Sequence, residues 1–207
     1  MTNNIGGLPL ASKGTWQFSL SGDLNVLRTL KEGTNVMDDN SRERTTFSSL
    51  LKTSYSLSDR LFVETFVSWV VQQRNISQPG GFTNNEQTSG FGDLAVLLNY
   101  SYYTRKRIVL TAGLGPKLPT GTSDLTNTNG LPLNADLQPG SGAWDGLLLH
   151  RVQVTSFSRP SRAYFANITY RYTGTNPDYL NQLDYRFGNE FQSIIGVSDQ
   201  LVIGRSL

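Results

Sequence analysis

The chain has 207 residues, of which 37% are hydrophobic and 16% are charged, and its formal net charge is +2. A charge this small, spread along the chain, argues against a nucleic-acid partner. The absence of Cys and the single His, His150, exclude a disulfide, a thiolate nucleophile and a multi-His metal site. The length suits one all-β domain, so we treat residues 1–207 as a single domain.

The first predicted strand covers residues 16–26, where even positions are apolar or Gly and odd positions are polar. Successive side chains of a strand point to opposite faces, so this segment has one apolar face and one polar face. The same pattern predicts further strands, although the sixth alternates poorly because Leu147, Leu148 and Leu149 are consecutive. These strands are residues 47–57, 61–73, 93–103, 108–118, 144–153, 164–172 and 185–198, and a ninth begins at Leu201.

The linkers between the predicted strands alternate between short and long. The short linkers are 58–60, 104–107, 156–161 and 199–200, and the long ones are 28–44, 74–92, 119–143 and 173–184. Outer-membrane barrels have short periplasmic turns and long outer loops. We therefore predict an all-β, antiparallel up-and-down transmembrane β-barrel in a bacterial outer membrane, with lipid around it and a periplasmic N-terminus. A soluble β-sandwich or a lipocalin-like barrel is the alternative, because its strands would also alternate.

The chain has no run of about 18 apolar residues, which excludes a transmembrane helix. Residues 1–4 lack the basic start and apolar core of a signal peptide, so if the chain is exported, its signal has been removed or the numbering starts on a processed or trimmed form. Nine strands are an odd number, whereas single-chain bacterial barrels have an even number. We therefore expect about 10–12 strands in the complete barrel, so that either more chain follows Leu207 or another element completes the wall.

Charged residues fall on the polar face of the predicted strands, which would line the interior of a membrane barrel. Asp93, Lys117 and Asp145 each lie where a strand meets a long linker, so we predict an acid–base–acid cluster at the outer mouth. This cluster would either tie the mouth and loops together or select passing solutes. The predicted lumen and mouth residues are Lys52, Glu64, Asp93, Lys117, Asp145, Arg171, Arg186 and Glu190.

Aromatic residues near the predicted strand ends fit the girdles of a membrane barrel. Those residues are Trp16, Tyr55, Trp69, Tyr100, Tyr102, Tyr172 and Tyr185.

No motif of catalysis or cofactor binding is present. No Gly-x-Ser-x-Gly elbow surrounds a Ser, and no phosphate-binding Gly-x-x-x-x-Gly-Lys-Ser/Thr sequence exists. We expect His150 to be a strand residue near the periplasmic end of its strand. The chain is therefore predicted not to be an enzyme and to bind neither a cofactor nor a metal. The third long linker, 119–143, is flanked by Pro119 and Pro139, and it would fold into the lumen or stand above it.

Three stretches resemble a known family. They are SGFGDL at 89–94, GLGPKLPTG at 113–121 and LQPGSGAWD at 137–145, and YRFG at 185–188 is similar as well. The series resembles the outer-membrane proteins of the MetA pathway of phenol degradation, over roughly residues 45–205. The resemblance implies a monomeric outer-membrane barrel that passes small, often apolar compounds. Members of this family usually run longer than this chain.

The sequence leaves several functions open. The first is a passive channel or transporter for small, partly hydrophobic molecules. The second is a non-conducting barrel with a plugged interior that binds other outer-membrane proteins within a complex. The third is a soluble lipid-binding barrel.

Overall fold

The computed structural model describes residues 12–29, 31–37, 42–77, 83–180 and 183–199. Within these ranges, one short 3-10 helix covers Ala135–Leu137, and all other regular elements are strands. The strands are β1 Trp16–Leu27, β2 Lys31–Glu32, β3 Asn35–Val36, β4 Arg42–Ser56, β5 Leu61–Ser77, β6 Thr83–Phe91, β7 Leu94–Arg105, β8 Ile108–Leu118, β9 Asp145–Thr155, β10 Arg162–Tyr172, β11 Thr175–Tyr179, β12 Leu183–Arg186 and β13 Glu190–Asp199.

One main sheet carries the fold, in the hydrogen-bonded order β1-β4-β5-β7-β8-β9-β10-β13. β7 pairs with the first half of β5 and β6 pairs with its second half. β6 and β7 therefore occupy the same place in the strand order, and Gly92 and Asp93 lie between them. All neighbours are antiparallel, and the sheet curls into a half-barrel with β1 and β13 at its two edges. This confirms the predicted all-β, up-and-down architecture. Residues 201–207, where a ninth strand was predicted to begin, lie outside the described residues.

The period-two alternation persists through strands where the sequence obscured it. In β9 the Leu149 side chain is buried and the Leu148 side chain is exposed, so the run of three leucines still alternates between faces. The register Gly113↔Leu149 and Leu114↔Leu148 keeps these positions on the same faces as their neighbours in β8. In a strand that is paired without a bulge, successive side chains must point to alternate faces. The pairing with β8 therefore fixes which face each of the three leucines occupies.

The prediction that residues 74–92 form a long loop is wrong for most of this segment. β5 continues to Ser77 and β6 begins at Thr83, so most of this segment is an extended hairpin whose tip, 78–82, lies outside the described residues. Arg74 pairs with Glu86 across the two strands, both by register and by a hydrogen bond between Arg74 Nε and Glu86 Oε2 at 2.9 Å. Polar residues on both faces gave no alternation signal, yet cross-strand pairs stabilise such a hairpin.

The predicted eighth strand, 185–198, is also wrong at its start. Its first residues belong to β12, which pairs with β11 in a separate two-stranded sheet. Between β12 and β13 the Thr173 hydroxyl donates to the Phe187 carbonyl at 2.6 Å, and the Thr173 N–H donates to Asn189 Oδ1 at 3.1 Å. These contacts occupy groups that a continuous ladder would need, so the chain leaves the sheet and re-enters it at Glu190.

The two ends of the half-barrel differ in their connections. At one end the strands are joined by short turns, such as Lys106–Arg107 between β7 and β8. At the other end lie the β2–β3 hairpin, the β5–β6 hairpin, the segment 119–144 and the β11–β12 hairpin. We call these the turn end and the loop end. In the described part of the chain, no helix has the length and apolar character needed to cross a membrane.

Candidate functional site

The main sheet places its polar and apolar faces in the opposite sense to a water-soluble sandwich, which buries its apolar faces against each other. Here the concave face is polar and buried, with Glu64 only 1% exposed, whereas apolar side chains on the convex face are exposed, with Ile195 at 83%. The buried charged residues of the concave face are Lys52, Glu64, Asp93, Lys117, Asp145 and Arg151. The interior is therefore the region of the molecule where chemistry is concentrated.

A first group of buried polar residues, the turn-side cluster, consists of Lys52, Glu64, Asn99 and Arg151. The Glu64 carboxylate accepts hydrogen bonds from Lys52 Nζ at 3.2 Å and from Asn99 Nδ2 at 3.1 Å. Arg151 reaches the same carboxylate from β9, with its terminal nitrogen 3.5 Å from Glu64 Oε2. Two cations thus share one carboxylate, and the cluster carries one excess positive charge.

A second group, the loop-side cluster, lies at the loop end of neighbouring strands and consists of Asp93, Lys117, Ser141 and Asp145. Lys117 Nζ donates to Asp93 Oδ2 at 2.5 Å and to Ser141 Oγ at 2.6 Å, and it lies 3.1 Å from Asp145 Oδ2. It also donates to the Ala143 carbonyl at 3.1 Å. The three charged residues predicted to meet at the mouth are therefore in contact. A buried cation with these partners has its charge and its hydrogen bonds satisfied.

Asp93 also anchors the base of segment 119–144. Its Oδ1 accepts the Gly121 N–H at 3.0 Å, and its Oδ2 accepts the Ser141 N–H at 3.0 Å. The two arms of the segment touch here, because a Cβ on Gly140 would lie 2.6 Å from the Gly121 backbone. Only glycine allows this approach. The segment therefore leaves and rejoins the sheet at one narrow point above the loop-side cluster.

From this base, segment 119–144 crosses the mouth of the half-barrel to the opposite wall. Asp136 accepts a hydrogen bond from Arg44 of β4 at 2.8 Å, and its other oxygen lies 3.9 Å from Arg74 of β5. The Thr88 hydroxyl of β6 donates to the Leu137 carbonyl at 2.7 Å, and the Leu137 side chain is fully buried. The segment therefore covers the mouth. Of the two placements left open by the sequence, the structure has the one above the lumen.

Arg171 and Glu190 extend the loop-side cluster along β10 and β13. An Arg171 terminal nitrogen lies 2.9 Å from Glu190 Oε2. Arg171 Nε is buried and has no hydrogen-bond partner among the described residues, since Asp145 Oδ2 lies 3.9 Å away, beyond hydrogen-bond distance. Arg171 is therefore the one cation of this group that has an unused donor.

An apolar layer separates the two charged clusters. Along β9 the inward residues run Asp145, Leu147, Leu149 and Arg151, so two leucines stand between the loop-side and turn-side charges. A cavity of about 110 Å³, which we call the chamber, lies at this level and is lined by residues of every main strand from β4 to β13 except β6. The packed residues of the layer are Leu50, Phe66, Ala95, Leu97, Leu147 and Leu149.

A second cavity, of about 230 Å³, lies above the chamber at the mouth. Its walls include Arg44 and Asp136 on one side and Asp145 on the other. Lys117 and Arg171 line both cavities, so they mark the boundary between the mouth cavity and the chamber.

The predicted lumen residues divide as follows. Lys52, Glu64, Asp93, Lys117, Asp145, Arg171 and Glu190 all lie on the concave face of the main sheet, with Arg171 and Glu190 partly exposed. Arg186 is the exception, because β12 lies outside the main sheet. Its exposed guanidinium stacks over the Tyr172 ring at 4.8 Å and donates to Asn189 Oδ1 at 3.2 Å.

Other residues of the interior were missed by the sequence reading. Arg151 was hidden because the leucine run obscured the parity of β9, although counting from Asp145 in steps of two would have found it. Asp136 and its partners Arg44 and Arg74 had no signal in the sequence, since their contact depends on how segment 119–144 folds. His150 lies midway along β9, not near its end, and its Nε2 is 2.8 Å from the Tyr102 hydroxyl oxygen.

Within the described ranges, no three His, Asp or Glu side chains converge as a metal site requires. Comparison with protein-family models and with curated proteins found no match to this chain.

Proposed function

We propose that this chain forms the wall of an outer-membrane β-barrel that passes small, partly hydrophobic molecules through its interior. The observation that carries the proposal is the reversed burial of the main sheet, with charges such as Lys52 and Glu64 inside and leucines such as Leu20 and Leu114 outside. Exposed apolar side chains on this scale cost free energy in water, whereas in lipid they are the favourable surface.

Aromatic residues on the convex surface support a membrane position. Along β10, Tyr164 and Tyr172 are eight residue steps apart, or about 26 Å of strand. This matches the apolar band of an outer-membrane barrel, about 25 Å tall and bordered by aromatic girdles. Exposed rings near the turn end include Trp16, Tyr102, Phe157 and Tyr164, and those near the loop end include Trp69, Phe91, Trp144 and Tyr172.

The unequal ends of the sheet support an orientation. Short turns are typical of the periplasmic end of such barrels, and long loops are typical of the outer end. We therefore infer a periplasmic start of β1 and an outer position for segment 119–144. Within the described residues β1 and β13 are the edge strands of the sheet, and in a membrane barrel both edges would have to be paired, because open sheet edges are not tolerated in lipid.

The interior supports a route for small molecules. The mouth cavity and the chamber adjoin at Lys117 and Arg171, so a solute would pass from a polar vestibule into an apolar space. Both cavities are small, so we infer passage of small molecules only. The sequence resemblance to the MetA-pathway family favours the same substrate class and remains a prediction.

The same interior favours a second candidate, a non-conducting barrel that binds other outer-membrane proteins. Segment 119–144 covers the mouth, and the turn-side cluster fills the interior below the chamber. A barrel closed at both levels would present its loop end as a binding surface.

Two measurements on purified protein test these proposals. In vesicles of brominated lipids, single-tryptophan variants that keep Trp16 or Trp144 should be quenched by bromines near the headgroups; unquenched tryptophans would contradict the membrane position. Liposomes that contain the protein should swell faster than protein-free liposomes in solutions of small solutes that carry both an apolar and a polar part. Inserted, folded protein that produces no swelling and no conductance would overturn the channel and support the partner-binding barrel.

A further inference from the structure

The chamber combines apolar walls with a few polar side chains. Its apolar lining residues are Leu50, Phe66, Ala95, Leu97 and Leu147, and its polar ones are Lys117, Thr169, Arg171, Glu190 and Gln192. A cavity of about 150 Å³ lined by apolar side chains can hold benzene. The chamber, at about 110 Å³, is slightly smaller and suits a molecule with five or six heavy atoms in its apolar part.

The two cations at the rim differ in what they still offer to a ligand. Lys117 already contacts Asp93, Asp145, Ser141 and the Ala143 carbonyl, so all its donors are used. Arg171 contacts Glu190 through a terminal nitrogen, but its buried Nε has no hydrogen-bond partner among the described residues. The Nε itself is closed to a molecule in the chamber, but the guanidinium lines the chamber and makes no hydrogen bond within the described residues beyond its ion pair with Glu190, so its terminal nitrogens can donate to a ligand oxygen.

The charge balance at the rim argues against an ionised ligand. Asp93, Asp145 and Glu190 carry three negative charges, and Lys117 and Arg171 carry two positive ones, which leaves one excess negative charge. An anion would be repelled by this excess. Any ion would also lose its hydration in a chamber whose walls are mostly apolar.

We propose that the chamber binds a small neutral amphiphile whose alcohol or carbonyl oxygen accepts a hydrogen bond from Arg171. The apolar part of the molecule lies against Leu50, Phe66, Leu97 and Leu147, and its oxygen points to the rim. This inference rests on the proposed barrel, since the chamber then opens toward the mouth cavity and is screened from lipid. Arg171 would be the residue that separates alcohols and ketones from hydrocarbons.

Leucine-methyl NMR of the full chain in lipid nanodiscs tests the site, because adjacent leucines report on opposite faces. On titration with cyclopentanol, we expect saturable shifts at Leu97 and Leu147, which line the chamber. Leu98 and Leu148 are exposed on the convex face and should shift only in proportion to the alcohol dissolved in lipid. Proportional shifts at all four leucines would overturn the proposal.

Two further ligands test the role of Arg171. Methylcyclopentane has a methyl group in place of the hydroxyl, and we expect it to bind about tenfold more weakly, the effect of one net hydrogen bond. Cyclopentanecarboxylate should give no saturable shift. Equal binding of the alcohol and the hydrocarbon, or tight binding of the carboxylate, would contradict the assignment.

Variants separate the site from general effects on folding. Leu147→Trp should fill the chamber and remove the saturable shift at Leu97, whereas Leu148→Trp makes the same change one residue along on the convex face and should leave binding intact. The double variant Arg171→Met with Glu190→Gln removes the donor without leaving a bare carboxylate. It should bind cyclopentanol about as weakly as the native protein binds methylcyclopentane. Unchanged binding by either chamber variant, with the Leu98 signal unperturbed, would overturn the site.

The outcome for the site is distinguishable from that for the channel. Liposome swelling without saturable shifts would overturn the chamber site and leave the channel supported. Saturable shifts without swelling would support the site and overturn the channel.

Discussion

The Asp136 carboxylate accepts a hydrogen bond of 2.8 Å from the Arg44 guanidinium, although 92 residues separate the two in the chain. Asp136 belongs to the segment between β8 and β9, and Arg44 lies on β4, three positions away from β8 in the sheet. The contact therefore spans the mouth of the half-barrel, and it ties the covering segment to the far wall.

Loosening this contact should open the mouth without unfolding the sheet. Both partners are partly exposed, and such pairs contribute at most about 1 kcal/mol. In Asp136→Asn we expect unchanged unfolding, with a rise of about twofold to fivefold in the rate of proteolysis within residues 122–138, the effect of up to about 1 kcal/mol. Solute flux into liposomes should rise as well. Asp124→Asn, an exposed Asp of the same segment with no ion pair in the described structure, is the control and should change neither rate.

Removing the ammonium of the loop-side cluster should destabilise the protein strongly. Lys117→Met leaves the Asp93 and Asp145 carboxylates buried without their shared cation, and breaking a buried pair in this way costs about 3–5 kcal/mol. Urea unfolding in detergent micelles, followed by heat-modifiable migration on gels, measures the loss. Lys13→Met replaces an exposed lysine and should stay within about 0.5 kcal/mol of the native protein. A native-like midpoint for Lys117→Met would refute the role of the cluster.

The turn-side cluster should set the charge selectivity of the interior. Glu64→Gln removes the one carboxylate that Lys52 and Arg151 share, so two buried cations remain without a counter-ion. Because the variant breaks a buried pair, it is measured in inserted protein that keeps its heat-modifiable migration on gels. In that protein we expect the reversal potential in a KCl gradient to move toward the value for chloride. Glu32→Gln, an exposed carboxylate in the β2–β3 hairpin, should leave the potential unchanged. A shift toward potassium would be the opposite of the expected result.

Substituting two leucines of nearly equal exposure, one on the convex face and one in segment 119–144, tests whether the convex face lies in lipid or in water. Leu114 lies midway along β8 and is 63% exposed, whereas Leu131 lies in segment 119–144 and is 61% exposed. In a membrane barrel Leu114→Arg should cost about 2–4 kcal/mol, because it places a charge near the middle of the lipid. Leu131→Arg should cost little. Equal tolerance of both substitutions in unfolding from vesicles would favour the soluble barrel.

Much of the interior could be predicted from parity alone. Once strands such as β4, β5 and β7 were recognised, the positions of Lys52, Glu64 and Asp93 on the inner face followed from the two-residue repeat. The contact of Lys117 with Asp93 and Asp145 also followed, because hairpin neighbours bring the ends of adjacent strands together. In these cases the deciding interactions lie between consecutive elements.

The sequence by itself determined the all-β class, the two faces of each strand and the alternation of short and long connections, because side-chain alternation is a local property of the extended backbone. Only the tertiary structure decided that Arg186 leaves the main sheet, that residues 83–91 continue a wall instead of a loop, and that Asp136 reaches Arg44 across the mouth. These outcomes depend on contacts between segments far apart in the chain. Their free energy arises only when the sheet has curled and brought opposite walls within reach.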